Sequence, residues 1–352
     1  MKNYLTLFIA ATLLCGCYKR NLEPTVSGSS ILSIITLRYD SPRGVVADKH
    51  GNVYILYSAT IEKVDKNGIT TTIAGGGTVT NYDGLPATVA RFRTDGLAID
   101  AQDNLYFTSR ERNRITKVDP QGIAHIIAGP KIQDSVYLPP SGFGGDGGPA
   151  TNALMDWPIT LAVDGNGNVY FEDAGNYRIR KVNAHGIIST VIGGGTADPL
   201  KGGMAADGEW ITTYAMIVDK HNNLYVGYSG SAIIKITPDG RVSAVAGGYK
   251  LGYTPDGSKA LGAKLGWVYG LAFDANDHLY FSEHNNHRVR MIDGLGILHT
   301  VAGIGTDTPL FGGIGSPAIQ ATTPNPHGLC FDSYGNLYIA SVRTWSVYKV
   351  SR

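Results

Sequence analysis

Six residues at one repeated position of the chain have side chains that could bind a ligand. Each stands where the first strand of a repeat begins, and they are Arg43, Asp95, Ile159, Tyr214, Tyr269 and His327. Alignment of the repeats predicts that they form a ring around the mouth of an axial channel. A column of Arg, Asp, Tyr and His is compatible with a ligand site and equally with a polar, water-filled channel mouth.

Aromatic and acidic residues accompany this predicted ring. Trp157 and Trp267 each lie two residues before a ring position, on the same side of the strand. Glu172, Asp173 and Glu283 end the following strands, one shell further from the axis. Trp, Tyr and Arg around a concave mouth suit stacking on sugar rings or binding a peptide side chain. The alternative is that the two tryptophans pack between blades as part of the core.

The elements that must position these residues are repeats. Residues 144–195 contain four short apolar runs cut by Gly and Asn, a pattern typical of antiparallel strands joined by hairpins. An Asp ends the first run of each copy, as Asp48, Asp100, Asp164, Asp219, Asp274 and Asp332. The fourth residue after it is Asn or His, preceded by Gly, Asp or Asn, which tolerate the positive φ of a tight hairpin. We interpret the Asp as bonding its own turn, because a calcium loop needs carboxylates at more positions.

The two ends of the repeat region are both incomplete. Residues 31–36 look like a fourth strand without its first three, and the last copy supplies only three strands, near 328–332, 336–339 and 347–350. Pairing of the first strand with the last would close a ring and remove two exposed sheet edges. The sequence therefore predicts an all-β, six-bladed β-propeller of four-stranded antiparallel blades over residues 31–352, in which the N-terminal strand completes the last blade.

The copies also share a pattern beyond their strands. It runs from DGGPAT before the first strand, through GNVY in the second, to Asn-[His/Tyr]-Arg before the third, and Asn176–Ile179 and Asn286–Val289 match this last segment best. The pattern resembles the NHL-repeat β-propeller, particularly its bacterial envelope type. Copies one, four and six lack the Asn-His-Arg segment, and copy four lacks Pro-Ala-Thr. The resemblance implies the fold but leaves function open, because similar propellers bind proteins, RNA or sugars, or carry lyase and lactonase sites.

An enzymatic alternative follows from the same resemblance, a metal-dependent lyase or hydrolase at the channel mouth. Such a lyase needs several histidines near the axis, and only His327 lies in the predicted ring. His284 and His287, beside Glu283, form a His-x-x-His pair on a loop, which could bind Zn²⁺ with marginal geometry. His287 also fills the Asn-His-Arg position, which favours a structural role.

A lactonase of the six-bladed type would need a Glu/Asn/Asp set around an axial metal. Asp95 with Glu172, Asp173 and Glu283 matches that set loosely and lacks the Asn. Neither arrangement supplies a paired acid and base. The sequence predicts no catalytic residue, no cofactor and no bound metal.

The N-terminus predicts a targeting segment. Lys2 is followed by an apolar run from Tyr4 to Cys15, which is too short to span a bilayer, and the segment ends at Cys17. Leu-x-Gly-Cys resembles the bacterial lipobox, which implies cleavage before Cys17 and acylation of its thiol, although cleavage by an ordinary signal peptidase is an alternative. Residues 18–30 are predicted to be a tether. The expected location is the bacterial cell envelope, attached by lipid, with the leaflet and the face left open.

Composition limits the partners. The formal net charge of +1 gives no sign of a polyanionic partner such as nucleic acid. After processing, Cys17 and Cys330 would be the remaining cysteines, so no internal disulfide is expected. Cys330 occupies a column of small apolar residues and is predicted to pack rather than react. The basic residues of the third strands are predicted to be solvated or to lie between blades, and they are Arg178, Arg180, Lys181, Arg288 and Arg290.

Long connections of irregular sequence join the repeats, at residues 75–93, 129–157, 193–212, 247–267 and 303–325. Binding groups concentrate on variable loops held by a rigid scaffold, so we expect any ligand on the face that carries them. The sequence predicts a monomeric, lipid-anchored propeller that acts as a non-catalytic binding module for an envelope protein, peptide or glycan.

Overall fold

The computed structural model describes residues 30–351 apart from 38–39, 132–139, 211 and 308–311. This part of the chain forms six antiparallel sheets, which are the blades of a propeller. The predicted all-β, six-bladed fold is confirmed, and no α-helix occurs in the described residues. Likewise, none of the described segments is a helix with the length and apolar character needed to cross a membrane. The predicted signal segment and residues 18–29 of the tether lie outside the described residues.

Each blade runs from a first strand at the axis to a fourth strand at the rim. Blade one contains β2 (Gly44–Ala47), β3 (Val53–Leu56), β4 (Thr60–Val64) and β5 (Thr70–Gly75). Blade two contains β6 (Leu97–Ile99), β7 (Leu105–Ser109), β8 (Arg114–Val118) and β9 (Ala124–Ala128). Blade three contains β10 (Pro158–Val163), β11 (Val169–Asp173), β12 (Arg178–Val182) and β13 (Ile188–Ile192).

The remaining blades follow the same plan with two variations. Blade four adds a fifth strand at its rim and contains β14 (Gly203–Met204), β15 (Met216–Val218), β16 (Leu224–Tyr228), β17 (Ala232–Ile236) and β18 (Arg241–Gly247). Blade five contains β19 (Val268–Phe273), β20 (Leu279–Glu283), β21 (Arg288–Ile292) and β22 (Leu298–Ala302). Blade six takes its fourth strand from the N-terminus and contains β23 (Pro326–Phe331), β24 (Leu337–Ser341), β25 (Ser346–Ser351) and β1 (Ile31–Leu37).

Short 3-10 helices punctuate the connections. They are Ala87–Val89, Arg110–Arg112, Ala150–Asn152, Ala174–Asn176, Pro199–Lys201, Ala205–Asp207, His284–Asn286 and Ala318–Gln320.

Pairing of β1 with β25 closes the ring, as the sequence predicts. The two strands are antiparallel, with Leu32 opposite Val350 and Ile34 opposite Tyr348. Leu32 is fully buried in a cluster that includes Tyr348 and Val350. The first strand of the described chain therefore belongs to the core of the last blade.

The recurring Asp stabilises the hairpin between the first and second strands. Asp164 accepts hydrogen bonds from the backbone N–H groups of Asn166 and Asn168, both at 2.9 Å, and from the Asn168 amide at 2.7 Å. The Tyr170 hydroxyl donates to the same carboxylate at 3.3 Å. The equivalent aspartates of the other five hairpins accept the same two backbone N–H groups. The predicted positive φ is found at Gly51, Asp103, Gly167, Asn222, Asp277 and Gly335.

The first strands of adjacent blades approach each other closely at the axis. A Cβ atom on Gly270 would lie 2.2 Å from the His327 carbonyl oxygen of blade six. Hydroxyl groups of the second strands also tie neighbouring blades together, since Thr108 donates to the Ile159 carbonyl and Ser282 to the His327 carbonyl, each at 2.8 Å. The channel wall is therefore a tightly packed surface that fixes the ring residues.

Replacing Gly270 with alanine should lower the free energy of unfolding by about 1–3 kcal/mol, because the added methyl group forces two backbones apart. Gly294→Ala in the same blade is the matched control, since no atom lies within 4 Å of its added Cβ. Urea denaturation of both variants measures the difference. Equal midpoints for the two variants would contradict the close approach at the axis.

Candidate functional site

The connections between blades meet on one face of the propeller, which we call the loop face. The short turns between first and second strands and between third and fourth strands lie on the opposite, hairpin face. An axial channel of about 340 Å³ runs between the faces, lined by the first strands of all six blades. At its loop-face end it is lined by Arg43, Asp95, Tyr214 and Tyr269, and at its hairpin-face end by Ala47, Ile99, Val163, Val218, Phe273 and Phe331.

A charged sector occupies the mouth at blades one and two. Arg43 forms an ion pair with Asp95, and the Arg110 guanidinium contacts the other carboxylate oxygen of Asp95 at 3.0 Å. Two guanidinium groups thus share one carboxylate, which leaves one net positive charge. Arg110 lies on the connection between the second and third strands and was not among the predicted site residues.

An aromatic sector occupies the mouth at blades four to six. The rings of Tyr214 and Tyr269 stack in parallel, with centroids 4.5 Å apart. His327 packs on Tyr269 at 4.3 Å, and His284 contacts both Tyr269, at 4.7 Å, and His327, at 5.0 Å. Trp267 stacks on His284 at 6.4 Å. Five rings form a continuous cluster, in which Tyr214 and Trp267 keep 42% and 43% of their surface exposed.

The sequence analysis did not predict that His284 belongs to this aromatic cluster. This residue begins the 3-10 helix His284–Asn286, which follows the second strand of blade five and folds over the ring. The Asn325 amide nitrogen lies 2.9 Å from Nε2 of His284, so Nε2 accepts and the proton resides on Nδ1. Nδ1 is buried and has no hydrogen-bond partner within the described residues. His284 therefore carries an unpaired N–H group that is enclosed beneath the surface of the aromatic sector.

Both histidines of the aromatic sector are neutral at physiological pH. Burial lowers the pKa of His284 to about 4, with a further contribution from His287. Burial lowers the pKa of His327 to about 3, and the nearby His284 and Arg43 act in the same direction. The aromatic sector thus presents apolar and hydrogen-bonding surface without charge, whereas the charged sector carries the positive charge.

The three acidic residues predicted one shell outside the ring do not face the mouth. Glu172, Asp173 and Glu283 are fully buried, and each accepts the backbone N–H of a residue that directly precedes a mouth residue. The three acceptor contacts are Asp173 with Asp156 N at 2.7 Å, Glu283 with Gly266 N at 2.8 Å and Glu172 with Thr213 N at 2.8 Å. These carboxylates position Trp157, Trp267 and Tyr214, and their burial corrects the expectation that they contact ligand.

Partners within the blades satisfy these buried acids to different degrees. Arg180 contacts Asp173 and Arg290 contacts Glu283, each at 3.2 Å, and both arginines are fully buried. No such cation contacts Glu172 within the described part of the chain, and burial raises its pKa to about 7. Arg180 and Arg290 were expected to be solvated or to lie between blades, and the structure places them inside blades three and five as ion-pair partners.

The tryptophans divide into exposed and buried residues. Trp157 and Trp267 are 59% and 43% exposed, so neither packs between blades as core. Trp157 adopts a left-handed backbone conformation, with φ of 53°, and its N–H donates to the Asn113 side chain of the preceding blade at 3.0 Å. A bulky residue held in this conformation is uncommon outside functional or strained sites. Trp210, in contrast, is buried against Tyr228 and donates to Glu172.

His287 has the structural role that its motif position suggested. Its Nδ1 accepts the backbone N–H of Asn325 at 3.1 Å, which holds the entry to blade six. Within the described residues, no group of three or more His, Cys, Asp or Glu side chains is arranged to hold a metal ion. Cys330 packs beside the cluster formed by Val45, Tyr338 and Val347, and burial raises the pKa of its thiol.

Residues 138–255 match the family model of the teneurin NHL domain. The structure confirms the six-bladed propeller, and this match supports the predicted resemblance to NHL-repeat propellers over the matched residues. Two curated relatives are Teneurin-1 and Teneurin-4 of Homo sapiens, 26% identical over 218 residues and 30% identical over 223 residues. These matches cover 41% and 56% of this chain, and the chain spans only 8% of the length of either teneurin.

Solved bacterial propellers share the fold at low sequence identity. An auxiliary nutrient binding protein from Bacteroides ovatus superposes with a TM-score of 0.63 at 13% identity, covering 92% of this chain and 77% of that protein. The virginiamycin B lyase of Staphylococcus aureus gives 0.54 at 16% identity, covering 91% and 99%. A gluconolactonase from Xanthomonas campestris gives 0.57 at 16% identity, covering 92% and 90%. At these identities the likeness concerns the fold alone.

The pKa of His327 should make stability depend on pH. A histidine whose pKa is lower in the folded than in the unfolded chain is stabilising above its unfolded pKa of about 6.5 and loses that contribution as pH falls. From pH 7 to pH 5 the wild type should therefore lose about 1–2 kcal/mol more than His327→Gln. Urea denaturation of both proteins at the two pH values measures the difference. The raised pKa of Glu172 changes the free energy of unfolding with pH in the opposite direction. Because Glu172 is present in both proteins, its contribution cancels in the comparison.

An equal loss of stability in the wild type and in His327→Gln between pH 7 and pH 5 would contradict the neutral state of the half-buried His327.

Proposed function

We propose that this chain is a lipid-anchored propeller of the bacterial cell envelope that acts as a non-catalytic binding module, with a protein, peptide or glycan ligand held at the loop face. The observation that carries the proposal is the aromatic sector. It combines two stacked tyrosines, a half-exposed tryptophan and a neutral imidazole.

The chemistry of the aromatic sector suits a flat, partly apolar ligand surface. Aromatic rings that are already packed against one another lose little conformational entropy on binding. A sugar ring or a proline or aromatic side chain could stack on Tyr214 and Trp267, with polar groups of the ligand directed across the mouth to Arg43 and Arg110. This combination of rigid rings with a few directed polar groups is typical of ligand sites.

The charged sector would favour one orientation of a ligand bound across the mouth. Arg43 and Arg110 stand on the far side of the axis from Tyr269, with one carboxylate between them. A ligand long enough to cross the mouth would place its apolar part on the aromatic sector and a carbonyl or carboxylate group near the arginines. Trp157, between the two sectors in blade order, supplies a further exposed ring.

The point where the N-terminal segment enters the fold supports an anchored binding module. Ile31 pairs with Ser351 at the hairpin-face end of β25, whereas Leu37 pairs with Ser346 at the loop-face end. Residues 18–29 therefore join the propeller at the hairpin face. With a lipid on Cys17, this attachment would leave the mouth directed away from the membrane and accessible to partners.

The double variant Tyr214→Ala/Tyr269→Ala should bind its ligand about 10- to 100-fold more weakly, because it removes the stacked pair. Binding to a panel of envelope polysaccharides and envelope proteins, measured by calorimetry, provides the comparison. Tyr334→Ala is the control, since this exposed tyrosine lies in a turn of the hairpin face.

Equal affinity of the wild type and the double variant would exclude the aromatic sector as the ligand site. Loss of binding in Tyr334→Ala would instead place the ligand on the hairpin face.

A metal-dependent lyase or hydrolase at the same mouth is the second candidate. The adjacency of His284 and His327 favours it, since neutral imidazoles are metal ligands and the buried Nδ1 of His284 has no hydrogen-bond partner within the described residues. Elemental analysis of the purified protein separates the two functions. The binding module predicts no stoichiometric metal, whereas one Zn²⁺ or Ca²⁺ per chain that is lost in His327→Ala would favour the enzyme.

A further inference from the structure

Five blades cover the outer edge of their fourth strand with a segment of the preceding connection, which we call the cap. In blade three, the Gly147 N–H donates to the Ile188 carbonyl at 2.8 Å, and the Ile188 N–H donates to the Gly148 carbonyl at 3.1 Å. The caps of blades two, five and six make the same two bonds, to Ala124, Leu298 and Leu32. In blade four, β14 pairs with β18 instead.

Blade one has no cap among the described residues. The connection that precedes it, from β1 to β2, spans only residues 38–43, whereas the other connections have room to run along the rim and back. Thr70, Thr71 and Thr72 of β5 are all exposed. We call these three residues the open edge. At the position of Thr70 the capped blades have buried apolar residues, namely Ala124, Ile188, Val242, Leu298 and Leu32.

The open edge keeps a side chain that binds caps elsewhere in the molecule. Thr72 aligns with Thr190 and Thr300 in the pairing of third and fourth strands. Thr190 donates both its N–H and its hydroxyl to the cap residue Asp146, at 2.9 and 2.6 Å, and the Thr300 hydroxyl donates to the cap residue Asp256 at 2.9 Å. Thr72 offers the same two donors to solvent.

Blade one differs from blades three and five at the residue opposite Thr72, and this difference changes which ligand side chain the open edge would bind. The residues opposite Thr190 and Thr300 are Arg180 and Arg290, which contact the cap carboxylates at 2.6 and 2.9 Å. Opposite Thr72 the residue is Glu62, buried and acidic. A carboxylate at this point would lack the arginine that pairs with the cap carboxylate in blades three and five, and it would face an acidic residue instead. An uncharged polar side chain would accept from Thr72 and needs no such arginine.

Backbone geometry further defines the occupant. The cap residue that donates to the fourth strand is a glycine with positive φ in four blades, namely Gly84, Gly147, Gly257 and Gly315. Residues 18–30 of this chain contain one glycine, Gly28, which lies only three residues before the start of β1. That spacing is too short for the tether to run along blade one and return to blade six. Residues 18–30 also contain no Gly-x-Pro sequence, which favours a segment of another chain as the occupant.

We propose that the open edge of blade one binds an extended segment of a partner protein by β-strand addition, with the pattern X-Gly-x-Pro in which X is an uncharged polar residue such as Asn. The Gly N–H donates to the Thr70 carbonyl, the Thr70 N–H donates to the next carbonyl of the segment, and X accepts from Thr72. Main-chain bonds supply affinity and the side-chain position supplies specificity, as in other cases of strand addition. The open edge lies at the rim and is separate from the channel mouth.

Hydrogen exchange of the whole mature chain, with Cys17→Ser to keep it soluble, tests the state of the edge. Amides in residues 69–73 should exchange at least about 100-fold faster than those in 187–191, the capped equivalent. A synthetic peptide copying residues 82–90 with Asp83→Asn (YNGLPATVA) should slow exchange in residues 69–73 alone. Slow exchange without peptide at every protein concentration would mean that the chain covers its own edge, and slow exchange only at high concentration would mean that a second copy does; either result overturns the proposal.

Peptide affinity tests the specificity. The Asn peptide should bind about fivefold more tightly than the unchanged Asp peptide (YDGLPATVA), because blade one has Glu62 where blades three and five have the arginine that pairs with the cap carboxylate. Thr72→Pro removes the outward N–H and the hydroxyl, and it should weaken binding about tenfold, whereas Thr72→Ser keeps both groups and should bind like wild type. Tyr214→Ala/Tyr269→Ala should also bind the peptide like wild type, so this test stands apart from the mouth. Failure of the Asn peptide to protect the edge at millimolar concentration, or equal binding by Thr72→Pro, would overturn the proposal.

Discussion

The antiparallel pairing of β1 with β25 is the interaction on which the rest of the structure depends. Each blade is a sheet with two apolar faces, and a blade is stable only between two neighbours. Without β1, blade six would expose β25 as an edge. The cluster shared with blade five would lose Leu32, and the cluster shared with blade one would lose the packing of Ile35. Closure through one short strand therefore fixes the radius of the ring and, with it, the distances between all the residues at the channel mouth.

The mouth is built by a second set of interactions that lie beneath it. Buried carboxylates hold the backbone just before Trp157, Trp267 and Tyr214, and buried arginines neutralise two of the three acids. A buried ion pair contributes little net stability compared with apolar packing, but removing one partner leaves an unpaired charge at high cost. Such pairs lock one conformation of the entry loops. The exposed rings at the mouth are thereby presented in fixed positions, which lowers the entropy cost of binding.

Much of this arrangement was readable from the sequence because it follows from repetition. The hairpin aspartates, the left-handed residues of the turns, the closure by residues 31–36 and the ring column all recur at fixed spacing, so one copy predicts the next. The sequence also indicated that His287 is structural. These features depend on local backbone chemistry, which the order of residues largely determines.

The remainder depends on contacts between segments that are far apart in the sequence. Glu172, Asp173 and Glu283 end their strands as the ring model supposed, but their direction was decided by amide groups from entry loops and by Arg180 and Arg290. His284 and Arg110 reach the mouth because short 3-10 helices fold inward over it, and no periodic signal marks that fold. The open edge of blade one is likewise invisible in any single copy. It becomes evident only when the cap hydrogen bonds of the five capped blades are compared with the exposed fourth strand of blade one.

The most direct measurement of the central claim is the free energy of unfolding of Leu32→Ala relative to Ile31→Ala. Leu32 is fully buried in blade six, whereas its neighbour Ile31 is 48% exposed. If the N-terminal strand closes the ring, Leu32→Ala should lose about 2–5 kcal/mol in a single cooperative transition, and Ile31→Ala should lose about 0.5 kcal/mol or less. Equal stability of the two variants would show that residues 31–37 do not form part of the ring. The positions assigned to the residues of the channel mouth would then no longer follow from ring closure.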